Sequence, residues 1–123
     1  MFHRRSLLAA PALLAFKPLA AQGVWNPQRP IRILVGFAPG GGTDLMARAL
    51  VPFVEKKLGG KARIVVVNKP GAGGEISSAY IAREKPDGYT IGFINVPGFV
   101  FIPMYKQSSY QTDDLKIIAR IVD

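Results

Sequence analysis

Few residues in this chain can do covalent chemistry. Cysteine is absent, and the single histidine is His3, at the extreme N-terminus. Disulfides, zinc–thiolate sites and a cysteine nucleophile are therefore excluded. A histidine general base is also excluded from any folded centre, and with it the Ser/His/Asp and Cys/His machineries. The remaining chemistry lies in two glycine loops: Gly36-Phe37-Ala38-Pro39-Gly40-Gly41-Gly42, followed by Thr43-Asp44, and Asn68-Lys69-Pro70-Gly71-Ala72-Gly73-Gly74, followed by Glu75. Glycines let a ligand approach the backbone, and they let N–H groups converge on an anion. The first loop nearly fits a phosphate-binding loop, but Gly42 stands where the phosphate-contacting lysine belongs. Neither loop meets the dinucleotide fingerprint G-x-G-x-x-G. Asp44 is read as a helix cap before a catalytic acid, because no second carboxylate or histidine is placed to work with it. Binding without catalysis is the expectation, with no catalytic residue, cofactor or metal.

The elements around these loops follow from hydrophobic spacing. Ile31 to Val35 is a largely apolar, β-branched run and reads as a central strand. The helix after the first loop can be capped by Thr43 or Asp44, and Gly59-Gly60 stops it. Leu45, Met46, Ala49, Leu50, Phe53, Val54 and Leu58 recur at helical spacing and are expected to face inward, with Pro52 bending the rod. The pattern then repeats. Arg63 to Val67 is a second strand, and Glu75 to Glu84 a second helix facing inward through Ile76, Ala79 and Tyr80. Pro86-Asp87-Gly88 is a turn and Tyr89 to Asn95 a third strand. Phe99 to Tyr110 reads as aromatic and irregular. Asp113 or Asp114 caps a short turn, and Leu115 to Val122 reads as a fourth strand. Strand, helix, strand, helix, strand implies right-handed crossovers and a parallel sheet with strand one between strands two and three. Ligands of such sheets bind beyond the carboxyl ends of the strands, where both glycine loops fall. Two helix starts side by side there suit a carboxylate or phosphate.

The N-terminus is expected not to belong to the fold. Arg4 and Arg5, the apolar run Leu7 to Phe16 and the small residues Leu19-Ala20-Ala21-Gln22-Gly23 follow the order of a secretory signal peptide. Cleavage is expected after Ala21 or Gly23, and residues 1–23 are assigned to the signal. The apolar run is too short to span a bilayer, so no stable membrane insertion is expected once the signal is removed. Removing Arg4, Arg5 and Lys17 from the 16 basic residues leaves 13 against 8 acidic ones, a net charge of +5. These charges are scattered, with no basic stripe or stacking aromatics, so nucleic acid is not an expected partner. With 49% hydrophobic and 20% charged residues, the chain as a whole is too apolar for a disordered one.

Four motifs stand in one order: Arg29-Pro30-Ile31-Arg32-Ile33, Phe37-Ala38-Pro39-Gly40-Gly41-Gly42-Thr43-Asp44, Asn68-Lys69-Pro70-Gly71-Ala72-Gly73-Gly74 and Pro86-Asp87-Gly88-Tyr89-Thr90. From Gln28 to Val122 the chain resembles the extracytoplasmic solute receptors of tripartite tricarboxylate transporters, the TctC-like Bug family. The resemblance implies an α/β fold of the type II periplasmic-binding-protein kind. Two lobes close over a small carboxylated ligand, which is then delivered to membrane permease subunits. It implies periplasmic export, and a carboxylate held by backbone N–H groups and ordered water. The implied ligand-binding residues are Phe37, Ala38, Pro39, Gly40, Gly41, Thr43 and Asp44 in the first loop. Pro70, Gly71, Ala72, Gly73 and Gly74 form the second.

Two departures are visible. Family members often carry a small polar stretch after the third strand, where this chain has Ile94-Asn95-Val96-Pro97-Gly98. Asn95 is the amide that this segment offers to a ligand. The chain also covers roughly the first third of a family member, so residues 24–123 are expected to be a partial, truncated N-terminal lobe. A non-functional remnant of such a receptor and, less favoured, a small phosphate-handling enzyme are the competing readings. If the signal assignment is right, N-terminal sequencing of the exported product will begin at Gln22 or Val24, and a retained Met1 would contradict it.

Overall fold

The computed structural model describes residues 25–122. The expected signal, residues 1–23, lies outside them. Three parallel strands form the sheet: β1 (Ile31–Val35), β2 (Ile64–Asn68) and β3 (Thr90–Phe93), in the order β2-β1-β3. Helix α1 (Gly42–Lys57) links β1 to β2, α2 (Glu75–Arg83) links β2 to β3, and α3 (Val96–Tyr105) follows β3. The expected βαβαβ order, parallel pairing and central β1 are all present. Register places Ile33 beside Val66 and Ile91, and Val35 beside Asn68 and Phe93. Ile33, Val35 and Phe93 pack with Ala47 and Val51 of α1 on one face of the sheet. The opposite face receives α2, whose Ile81 sits over Gly92. A second apolar cluster joins α2 to α3 and the segment beyond, through Ala79, Phe99, Ile102 and Tyr110.

Helix α1 ends as its sequence requires. Gly59 and Gly60 have φ of 80° and 72°, and their N–H groups return to the carbonyls of Lys56 and Glu55. Both bonds satisfy carbonyls that a helix end otherwise leaves unpaired.

Four expectations are corrected. Helix α1 is rotated from the face expected for it: Asp44 and Ala47 are buried, whereas Leu45 and Phe53 are 57% and 70% exposed and Met46 and Ala49 also face outward. The apolar residues cover more than half of this helix, so periodicity alone did not fix the inward side. On α2, Ala79 is buried as expected, but Ile76 is exposed, and Ser77 and Ser78 are buried in its place. The segment 96–105 is a helix rather than irregular. Pro97 sits in its first turn, where proline is tolerated. Finally, residues 115–122 form no strand. A strand needs a neighbour to pair with, and Ile117, Ile118, Ile121 and Val122 are exposed without one among the described residues.

Pro103 explains why Tyr110 is buried. Proline has no N–H, so the carbonyl of Phe99, four residues earlier, lacks its helical partner. The Tyr110 hydroxyl donates to that carbonyl at 2.7 Å, and its ring stacks on Phe99 with centroids 5.2 Å apart. Tyr110→Phe is expected to lower the melting temperature by roughly 5–10 °C, the effect of one lost buried hydrogen bond in a small domain. In a Pro103→Ala background, which restores the N–H, calorimetry should find that drop largely gone; an undiminished drop would contradict this account.

Candidate functional site

The three strands deliver their carboxyl ends to one edge of the sheet. The first loop, Gly36–Gly41, leaves β1 there. The second, Lys69–Gly74, leaves β2. Asn95 follows β3 and is the N-cap of α3. A β-carbon at Gly36 would lie 2.9 Å from the Gly74 Cα, which is closer than packing allows, so the two loops touch because Gly36 has no side chain, while Gly74 is favoured by its φ of 97°. The Thr43 hydroxyl donates to Asn95 Oδ1 at 3.2 Å and joins the first loop to the end of β3. The structure therefore brings residues of all three expected segments together.

Beneath the first loop lies Asp44, which is 1% exposed. One carboxylate oxygen accepts from the Gly40 N–H and from Arg48 Nε, both at 2.9 Å. The other accepts from Asn68 Nδ2 at 2.8 Å. Asn68 also donates to the Phe37 carbonyl and accepts from Arg48. This one side chain ties the loop, α1 and the end of β2 together. The Arg48 guanidinium, then the Gly40 N–H and the Asn68 amide, hold its carboxyl well below the usual carboxylate range. The N-cap of α1 is Gly41, earlier than Thr43 or Asp44, and no side chain caps it. Asp44 instead reaches back to a loop N–H. Its carboxylate is occupied internally, so among the expected site residues it braces the loop rather than lining its outer surface.

The second loop is built differently. Gly71, Ala72, Gly73 and Gly74 all have positive φ, at 137°, 49°, 65° and 97°. Ala72 is the only non-glycine residue with positive φ among the described residues, and a β-carbon there costs free energy. The loop is anchored from below by Glu75, whose carboxylate pairs with Lys106 at 2.5 Å and accepts from the Ser109 N–H. That pairing holds the Glu75 carboxyl below its ordinary range.

Most outer residues of the loops are open to solvent: Ala38, Pro39, Gly40, Pro70, Ala72, Gly73 and Asn95 are exposed. Phe37, Gly41, Thr43, Gly71 and Gly74 are half-buried. At the helix starts, the N–H groups of Gly42 and Thr43 have no intrahelical acceptor. Between the loops runs a small crevice lined by Gly36, Phe37, Gly74, Ser77, Ser78 and Asn95 among others, with room for about one water molecule. Sequence reasoning missed Ser77 and Ser78. The available signal was two adjacent small polar residues in the first turn of α2, between the expected inward positions Ile76 and Ala79. Among the described residues no group of His, Cys, Asp and Glu could hold a metal ion, and no helix is long and apolar enough to cross a membrane.

A parallel sheet with adjacent glycine loops at its carboxyl edge defines an α/β ligand-binding lobe of a kind that several fold families share. Comparison with known proteins agrees. The model of the tripartite tricarboxylate transporter family receptor matches residues 46–123. A UPF0065 protein of Bordetella bronchiseptica is 38% identical over 120 residues, covering 96% of this chain and 35% of that protein. The solved periplasmic binding protein BugD shares 47% identity at a TM-score of 0.51, over 54% of this chain and 21% of that one. MatC of Rhodopseudomonas palustris, solved with bound malate, shares 30% identity at a TM-score of 0.61, over 71% of this chain and 29% of that one. This chain belongs to the tripartite tricarboxylate transporter receptor family, as a Bug-type, TctC-like member. It spans about a third of the length of the curated relatives that it matches.

The site makes a prediction about acid. A carboxyl held below its unfolded value contributes stability above that value and loses it as pH falls. Melting temperature should therefore hold steady from neutrality to about pH 5 and decline below about pH 4. Asp44→Asn should lower it at pH 7 by roughly 10 °C, since a charge-assisted network is lost, and should flatten the acid limb. A variant as stable as the parent at pH 7 would contradict the bracing role.

Proposed function

We propose that this chain is the ligand-gripping part of an extracytoplasmic receptor for small carboxylates, and that it acts by binding without catalysis. The observation that carries this reading is the contact of the two glycine loops at Gly36 and Gly74, the loops that lead into α1 and α2. Helix starts present unpaired N–H groups and the positive end of the dipole, so they favour an anion. Phe37, Ala38, Pro39, Gly40, Gly41 and Thr43 form one side of the proposed site. Pro70, Gly71, Ala72, Gly73 and Gly74 form the other, and Asn95 closes the third. Asp44 holds the first side in shape. The malate bound to MatC supports a carboxylate as the ligand class.

Family membership supports the rest of the reading. Residues 1–23 direct export to the periplasm, residues 24–123 form part of a receptor lobe, and the loaded receptor delivers its ligand to the permease subunits of a tripartite tricarboxylate transporter. Backbone N–H groups recognise the carboxylate alone, so the remainder of the ligand is selected by other surfaces.

Calorimetric titration of the protein at its native length with mono-, di- and tricarboxylates should find at least one that binds. No heat from any of them would contradict the reading. Residues 24–123 alone should bind the same ligand weakly or not at all, because one open lobe cannot bury it. Submicromolar affinity of that segment would overturn this last expectation.

A further inference from the structure

Asn95 is the N-cap of α3, yet its side chain does not cap that helix. An N-cap asparagine ordinarily turns its Oδ1 onto the N–H of the second or third helical residue. Here the second is Pro97, which has no N–H. The Asn95 Oδ1 instead accepts from the Thr43 hydroxyl at 3.2 Å. That bond crosses from the end of β3 to the start of α1 and settles which way round the amide lies. Its oxygen is taken, and Nδ2 donates to nothing among the described residues. Asn95 is exposed and lines the crevice between the glycine loops, together with Gly36, Phe37 and Gly74. A second side chain in that crevice is also unmet. Ser77 is 1% exposed, and its hydroxyl has no partner among the described residues. Native structures seldom leave a buried hydroxyl so. Unmet polarity on two separate elements marks the crevice as facing a polar group of a ligand.

We propose that Asn95 is a specificity-determining residue: its amide, held by Thr43, donates to an oxygen on the carbon next to the bound carboxylate, so that the site selects 2-hydroxy and 2-oxo acids. The proposal rests on the carboxylate-receptor reading above and deepens it, because backbone N–H groups read the carboxylate alone. The carbon next to the carboxylate is the one within reach, since Asn95 shares its crevice with both loops. An amide fixed with Nδ2 outward offers only protons. A hydroxyl or oxo oxygen accepts them. An ammonium has no lone pair and meets the positive end of the amide dipole. A bare methylene leaves the donors unpaired once water is displaced, and sites built to hydrogen-bond a group reject the analogue that lacks it. Thr43 acts through Asn95 and is a positioning residue: with its hydroxyl gone, the amide is free to turn and present its oxygen.

Calorimetric titration of the native-length protein with two matched sets tests it: malate, oxaloacetate, succinate and aspartate, and lactate, pyruvate, propionate and alanine. In at least one set the hydroxy or oxo acid should bind roughly 5–10-fold more tightly than the unsubstituted acid and the amino acid. Asn95→Ala should bring the oxygen-bearing and unsubstituted acids to equal affinity. Asn95→Asp, which presents only acceptors, should shift the ratio toward the amino acid. Thr43→Val should lose most of the preference, and Thr43→Ser, which keeps the hydroxyl, should retain it. A purely structural Asn95 would, on substitution, weaken every compound by one factor and leave the ratios unchanged; that result overturns the proposal. So does a parent protein that binds the matched acids equally, or that binds none of these compounds. If another carboxylate of the wider panel still binds, the receptor reading stands while the Asn95 proposal falls. Absence of binding by any carboxylate defeats both.

Discussion

The buried carboxylate of Asp44 is the interaction on which the carboxyl edge of the sheet depends. It gathers three donors from three places: the Gly40 N–H in the first loop, Arg48 one helical turn on, and the Asn68 amide at the end of β2. Without it, a glycine-rich loop would have little to select one conformation from the many that glycine allows. A buried charge is costly unless it is paired and hydrogen-bonded, and Asp44 is both. The arrangement also faces the negative charge inward and away from the loop's outer surface. An anion approaching the helix start therefore meets N–H groups rather than a carboxylate.

The second loop reaches a similar end by a different route. Its four consecutive positive φ angles are set by the backbone, three of them at glycines, and Glu75 fastens it from below to Lys106 and Ser109. The two loops meet because Gly36 has no side chain to hold Gly74 away. Loop contact, an internal brace on each side and a crevice behind them make one continuous surface at the strand ends. Its electrostatics come from backbone dipoles rather than from a cluster of charged side chains.

The sequence made much of this legible, for identifiable reasons. Strands β1 and β2 are β-branched runs, and each is followed by a glycine loop and a helix, so the parallel sheet and the meeting of both loops at its carboxyl edge followed from spacing. The stop at Gly59-Gly60 was also readable, because only glycine adopts that geometry cheaply. The inward side of α1 was not, because Leu45, Met46 and Phe53 made the wrong side look like the core. The buried position of Asp44 reflects a bond to Asn68, 24 residues away, which local pattern does not reveal. Helix α3 was hidden by its two prolines, one tolerated in the first turn and one compensated by Tyr110. The fourth strand failed because β structure is a property of pairs. Ser77 was passed over because an unpaired hydroxyl is visible only once its surroundings are known.

The most direct test of the central claim, that backbone N–H groups of the two loops grip a carboxylate, is an amide-resolved NMR titration of the native-length protein with the carboxylate that binds most tightly. The account predicts that the largest shifts fall on the amides of residues 42–43 and 71–73, and that Asp44→Asn weakens the first group more than the second. Shifts confined to other parts of the molecule, with both loops silent at saturation, would contradict it.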